Sequence, residues 1–318
     1  MDHELLKAVK VETKHIPAIK SMLDEAKQKA FKEDLKALAD WLSPSTYPAE
    51  YAAKLKERQD GTGEWFIRLH EVETWLNTPK STLLCCGELG TGKSMLSAIL
   101  IEHLLKTVKS ETIGVAWVFI HHNAKEDDPG AKLLAALLKQ LVQSHAKIAE
   151  DVNTLFKRHV KEETGMSQDD TVKMLFKRHV KEETKMSQDD TVKMMLDFAS
   201  TKLTTTYIVV DALDEFTDAT QRDRFVKYLQ SLQSFADVRI VVTSQFVTKE
   251  LQSAPRLRVK AQSDDIKRYV AGQIDRLPDF VQEDSSLQSQ VQEKIASSVG
   301  DMYVSAPLFL QCINLLTL

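Results

Sequence analysis

The octapeptide Gly87-Glu88-Leu89-Gly90-Thr91-Gly92-Lys93-Ser94 lies between a short apolar run, Ser81 to Cys86, and a helical pattern from Lys93 to about Val108. It matches G-x-x-x-x-G-K-[ST] at every fixed position, a pattern that constrains fold and chemistry together. Gly87, Gly90 and Gly92 let bare backbone wrap with its N–H groups turned inward around an anion. The following helix offers its N-terminal donors and the positive end of its dipole to the same place. Lys93 can reach β- and γ-phosphates as a mobile charge, and Ser94 offers a hydroxyl to Mg²⁺. The chain holds only 10 glycines in 318 residues, and five of them fall between Gly61 and Gly92. Three of these five sit at Gly87, Gly90 and Gly92, where a phosphate must approach bare backbone.

The surrounding pattern predicts the fold needed to carry such a loop. Ser81 to Cys86, Gly114 to Ile120, Tyr207 to Val210 and Val238 to Thr243 read as strands buried on both faces. Helical patterns from Lys93 to about Val108 and from Ala131 to His145 alternate with them, which implies a parallel sheet covered on both sides. The expected fold is an α/β P-loop NTPase, a three-layer α/β/α sandwich with helices before it and a helical subdomain after it. Along the chain, residues 1–45 read as an N-terminal helical segment and 46–79 as a helical lead-in. Residues 80–246 then form the NTPase domain, and 247–318 a C-terminal helical subdomain expected to be incomplete. In the lead-in, helices are expected over about 49 to 59 and from Glu64 to Leu76. In the last part they are expected from Asp264 to Leu277 and Leu287 to Val299.

A second cluster follows the third strand, at Asp211-Ala212-Leu213-Asp214-Glu215. The C-terminal edge of a parallel sheet is where ligands bind. Asp211 is therefore the candidate carboxylate on the Mg²⁺ side, joining Ser94 as the metal-side pair. Asp214 and Glu215 stand just beyond, where a carboxylate could orient or deprotonate an attacking water.

Charge and cysteine exclude other classes. The formal net charge is −4, from 42 basic and 46 acidic side chains, so no basic field marks a nucleic-acid partner. Three cysteines, two of them adjacent at Cys85 and Cys86, cannot build a disulfide framework, and a reducing, cytoplasmic location is expected. No apolar run reaches the length of a membrane span, and the charged N-terminus lacks a signal peptide's apolar stretch.

Gly87–Ser94 together with Val210-Asp211-Ala212-Leu213-Asp214-Glu215 resembles the NACHT family of signal-transducing P-loop NTPases. Trp41-Leu42-Ser43-Pro44 and Gly61-Thr62-Gly63-Glu64-Trp65 are similar to segments that precede the loop in fungal NACHT proteins with a nephrocystin-like N-terminal region. The resemblance implies a switch that binds ATP or GTP with Mg²⁺ and hydrolyses it slowly. It also implies partners among copies of itself or other NLR-like proteins, and a role in fungal non-self recognition and heterokaryon incompatibility. Family members often carry T-S-R after the fourth strand, with the Arg sensing the γ-phosphate. Here Thr243-Ser244 is followed by Gln245, which is uncharged. Such proteins usually continue into ankyrin or WD40 repeats, whereas this chain ends at Leu318 in helical patterning. A binding-only scaffold without turnover is the alternative. A remodelling motor would need a second-region arginine finger and a pore loop, and neither is found.

Other features fall outside this scheme. Residues 155–174 and 175–194 are tandem copies that differ only at Gly165 and Lys185, read as a tolerated duplication between core elements. His121 and His122 point to opposite faces of an extended segment and read as structural or exposed. Trp65 and Trp75 read as core anchors, with a place beside a base as the alternative. Arg256 and Arg258 read as a solvated edge, with a role towards the γ-phosphate as the alternative.

Overall fold

The runs that read as buried strands are apolar on both sides of the pleat, so each needs cover above and below. In the computed structural model they obtain it. The model describes residues 47–121, 129–145, 147–148, 150–152, 202–299 and 309–310, with scattered helical positions between 21 and 39. The two tandem copies, the Trp41-Leu42-Ser43-Pro44 segment and His122 lie outside the described residues. The chain divides into two units, residues 1–43 with 146–185, and residues 44–145 with 186–318. In the first, the described positions are helical, and Ala39, Ile148 and Val152 are buried. The second contains the sheet.

That sheet has five strands: β1 (Thr82–Cys86), β2 (Ile113–Phe119), β3 (Thr205–Asp211), β4 (Val238–Ser244) and β5 (Arg256–Arg258). Their spatial order is β2-β3-β4-β1-β5, and every pairing is parallel. Cys86 stands opposite Ser244, Val210 opposite Val242 and Phe119 opposite Asp211, so the C-terminal ends of these strands share one edge. On one face Leu83, Cys85, Val115, Trp117, Tyr207, Val209 and Val241 form a core with α4 (Lys93–Thr107), which follows the glycine-rich loop. The lead-in helices α1 (Tyr47–Lys56), α2 (Glu64–Ile67) and α3 (His70–Asn77) add Phe66, Val72 and Trp75 to it. Trp75 meets Tyr207 edge-on at 5.5 Å between ring centroids, so it is a core anchor. The α5 helix (Pro129–Ser144) packs on β2 and α6 (Ala219–Phe235) on β4.

The outer edge of β2 is finished by a side chain. Gln140 of α5 is buried, accepts a bond from the Trp117 N–H at 3.0 Å and donates one to the Trp117 carbonyl at 2.7 Å. The amide thereby stands in for a neighbouring strand, which satisfies backbone groups that burial would leave costly.

After β5, α7 (Ser263–Ala271), α8 (Asp279–Gln282) and α9 (Ser285–Val299) build a small core of Ile266, Val270, Leu277, Val281, Ile295 and Ala296. Two helices differ from the sequence expectation, while Arg256 and Arg258 stand on a solvated edge as expected. The helix expected from Glu64 to Leu76 is two, because Leu69 turns extended at φ −68, ψ 138 between them. The helix expected from Asp264 to Leu277 ends at Ala271, with Gly272 as its cap and a separate turn at Ile274–Arg276. Arg256 and Arg258 flank buried Leu257 in an edge strand, both side chains exposed. Among the described residues no helix is long and apolar enough to cross a membrane.

Candidate functional site

The loop joining β1 to α4 is shaped by its glycines. Gly90 and Gly92 take φ of 79° and 88°, a region L-residues with a side chain rarely adopt. Gly87 is required by space: a Cβ there would lie 2.7 Å from the Val259 carbonyl oxygen and 2.8 Å from the Thr91 hydroxyl. Thr91 is buried and its hydroxyl donates to the Glu88 carbonyl at 3.0 Å, closing the turn from within. Glu88 and Leu89 face outward, Leu89 with 69% of its surface exposed.

Lys93 opens α4 and folds back over the loop. Its Nζ donates to the Gly87 carbonyl at 2.7 Å and to the Glu88 carbonyl at 2.8 Å. Burial pushes its pKa below the ordinary lysine value, while the nearby carboxylates of Asp214 and Asp211 pull it upward. The ammonium therefore sits inside the loop, beside two acids, with weak carbonyl partners it can exchange for a stronger anion.

Asp211 ends β3 and is only 2% exposed. Its Oδ1 accepts hydroxyl bonds from Ser97 of α4 and Thr243 of β4, both at 2.7 Å. Thr243 Oγ1 accepts in turn from the Ala212 N–H at 2.8 Å. Ala212 takes φ 59°, ψ 51°, an uncommon left-handed conformation for a residue with a Cβ. That turn starts the single helical turn Leu213–Glu215 on which Asp214 and Glu215 stand. Asp214 Oδ1 accepts the backbone N–H of Gln245 at 3.0 Å, which ties the acidic turn to the end of β4. Next to Gln245, half-exposed Phe246 carries the Arg222 guanidinium 5.5 Å over its ring.

The sequence-predicted residues thus converge. Gly87–Ser94, Asp211 and Asp214 meet at the C-terminal edge of three adjacent strands, and Glu215 lies one residue on. Ser94 is half-buried in the first turn of α4. The partner of Asp211 within α4 is Ser97, one turn further along, which sequence reasoning missed. Its signal was the three-residue spacing from Ser94, which places both hydroxyls on one helical face. Ser94 and Asp211 are hard oxygen donors, as Mg²⁺ prefers, and that ion needs only one or two protein ligands beside phosphate and water. Among the described residues no group of three or more His, Cys, Asp or Glu is placed to hold a metal alone. His121 is exposed and pairs with Glu50 at 3.0 Å.

A cavity of about 480 Å³ opens beside the loop. Thr62 and Gly63 of the lead-in, Gly92, Met95 and Ile99 of the loop and α4, and Asp265 and Tyr269 of α7 line it. Sequence reasoning did not find Asp265, which lies 202 residues from its bonding partner Gly63.

No curated protein matches the chain. Among solved structures it is similar to C. elegans PCH-2 at 11% identity and TM-score 0.36, over 72% of this chain and 53% of that one. The chain thus spans about half of PCH-2. It is similar to domain III of the Thermotoga maritima replication initiation protein DnaA at 11% identity and TM-score 0.39, over 79% and 82% of the two chains. It is also similar to Drosophila ORC bound to DNA at 13% identity and TM-score 0.38, over 86% and 58%. Likenesses this remote say nothing about function or partners here. The model of the nephrocystin 3 N-terminal region matches residues 61–245, from the first lead-in glycine through the loop and the acidic turn to Gln245. With more than half of its residues inside that match and a parallel-sheet P-loop fold beneath it, this chain belongs to the nephrocystin 3 N-terminal family.

Proposed function

We propose that the chain is a nucleotide-binding switch of the NACHT type, taking ATP or GTP with Mg²⁺ and hydrolysing it slowly. The observation that carries this reading is the juxtaposition of the Gly87–Ser94 loop with buried Asp211 on one sheet edge, beside a cavity large enough for a nucleoside. In this reading residues 87–94 hold the phosphates, and Lys93 leaves the Gly87 and Glu88 carbonyls for the β- and γ-phosphate oxygens. Ser94 and Asp211 hold Mg²⁺, with Ser97 and Thr243 orienting the Asp211 carboxylate. Mg²⁺ supplies charge neutralisation on the phosphates when bound. Asp214 and Glu215 orient the attacking water. The base and ribose occupy the cavity between Gly63, Gly92 and Tyr269. The resemblance to fungal NACHT proteins supports a cytoplasmic role in non-self recognition and heterokaryon incompatibility, acting through self-association or other NLR-like proteins.

Gln245 favours a second reading, a binding-only scaffold. It stands exposed where the NACHT resemblance implies an Arg, and a neutral amide makes a weaker contact to a phosphate than a guanidinium does. The expected result is that Gln245→Arg raises phosphate release by about tenfold with nucleotide affinity little changed, since one charge-assisted bond is worth about one decade. Single-turnover phosphate release on the purified chain measures it. Equal rates in the two chains would remove Gln245 from the account, and no release from either would favour the scaffold.

A further inference from the structure

The Gly61-Thr62-Gly63-Glu64-Trp65 segment lies outside the phosphate loop, and its polar groups converge on one face of α7. Asp265 is 2% exposed, and its Oδ2 accepts from the Gly63 N–H at 2.8 Å and from the Trp65 indole N–H at 2.9 Å. One turn along, Arg268 donates to the Gly61 carbonyl at 2.8 Å and lies 3.6 Å from the other Asp265 oxygen. At the end of α7, a Cβ on Gly272 would collide with the Gln59 side chain. Within the lead-in, Arg58 forks onto the Thr62 carbonyl at 2.9 and 2.6 Å.

The glycines of the segment follow from this arrangement. Gly61 and Gly63 take φ of 76° and 73°, and a Cβ on Gly63 would run into Ile99 of α4. The loop is thus pressed against α4 below and clasped by α7 above. A carboxylate this buried is stable where N–H donors satisfy it, and the Gly63 and Trp65 donors both belong to the lead-in, so Asp265 ties the two elements together. Gly63 and Asp265 also line the cavity beside Gly92, so the clasp forms two of its walls.

We infer that Asp265 is a positioning residue that clasps the C-terminal helices to the lead-in loop and couples their docking to occupancy of the cavity. The inference rests on the nucleotide reading above. A ligand that touches both walls binds the clasped form more tightly than the open one, and linkage then makes the ligand hold α7 closed. Lead-in loop, phosphate loop and C-terminal helices become one two-state element.

Hydrogen exchange on the full chain, with and without Mg-ATP and Mg-GTP, tests it. In the natural chain nucleotide is expected to slow exchange both in residues 87–94 and in α7. In Asp265→Ala, exchange in α7 rises without ligand, affinity falls about tenfold, and nucleotide protects residues 87–94 but no longer α7. Trp65→Phe keeps the ring in the core and removes a single donor, so it gives a smaller change of the same kind even if the alanine variant folds poorly. A merely structural Asp265 would shift thermal unfolding but leave the nucleotide-dependent protection of α7 in place. That protection surviving in both variants would overturn the inference. No nucleotide effect on residues 87–94 of the natural chain would instead overturn the nucleotide reading and the coupling with it, while ligand-free exchange in α7 still reports on the clasp.

Discussion

Lys93→Ala is expected to weaken binding of Mg-ATP or Mg-GTP by about 10- to 100-fold, with the thermal midpoint moved by no more than a few degrees. Hydrogen bonds to a charged group are worth about 1.5–3 kcal/mol, and about 1.4 kcal/mol is a tenfold change in affinity. In the free chain Lys93 spends its donors on two loop carbonyls, at 2.7 and 2.8 Å. Those carbonyls can turn to water when the ammonium is removed, which is why the fold loses little. In the nucleotide reading, by contrast, the half-buried ammonium meets the phosphates directly, beside the loop's backbone amides. Isothermal titration of both chains, beside thermal unfolding, checks the pair of expectations. Equal affinities would remove Lys93 from the site.

Asp211→Asn is expected to abolish the Mg²⁺ dependence of binding and to lower any phosphate release by about 100-fold or more, the scale on which loss of a metal-side charge acts. The substitution keeps the shape of the side chain. Its carbonyl oxygen can still accept from Ser97 and Thr243, so the local network survives with the charge removed. The natural chain should bind triphosphate more weakly when EDTA removes Mg²⁺, and the variant should show the same affinity with and without the ion. The variant also loses one of the carboxylates that pull the Lys93 pKa upward, so its lysine should titrate at still lower pH. A variant that keeps full Mg²⁺ dependence would move the metal-side role away from Asp211.

The parts legible in the sequence were those that depend on neighbours in the chain. Strands β1 to β4 are apolar on both sides of the pleat, and their expected limits differ from those observed by no more than two residues. The glycine-rich loop is a local device whose residues are consecutive. β5 escaped because three residues with two exposed arginines show neither alternation nor an apolar run. The break at Leu69 carries no proline or glycine to announce it. Strand order was beyond reach, since parallel neighbours are joined through long crossovers. The support of the site was hidden for the same reason: Ser97 is 114 residues from Asp211, Thr243 is 32 away, and Asp265 is 202 from Gly63. The G-T-G-x-W segment stands out in the sequence as a pattern, but its packing partner is a helix near the other end of the chain.

The most direct test of the nucleotide reading is native mass spectrometry of the purified chain, before and after addition of Mg-ATP or Mg-GTP. One nucleoside di- or triphosphate per chain is expected, identified by its mass and bound at lower occupancy by Lys93→Ala at the same nucleotide concentration. A chain that carries no nucleotide and takes up neither compound at millimolar concentration would contradict the account.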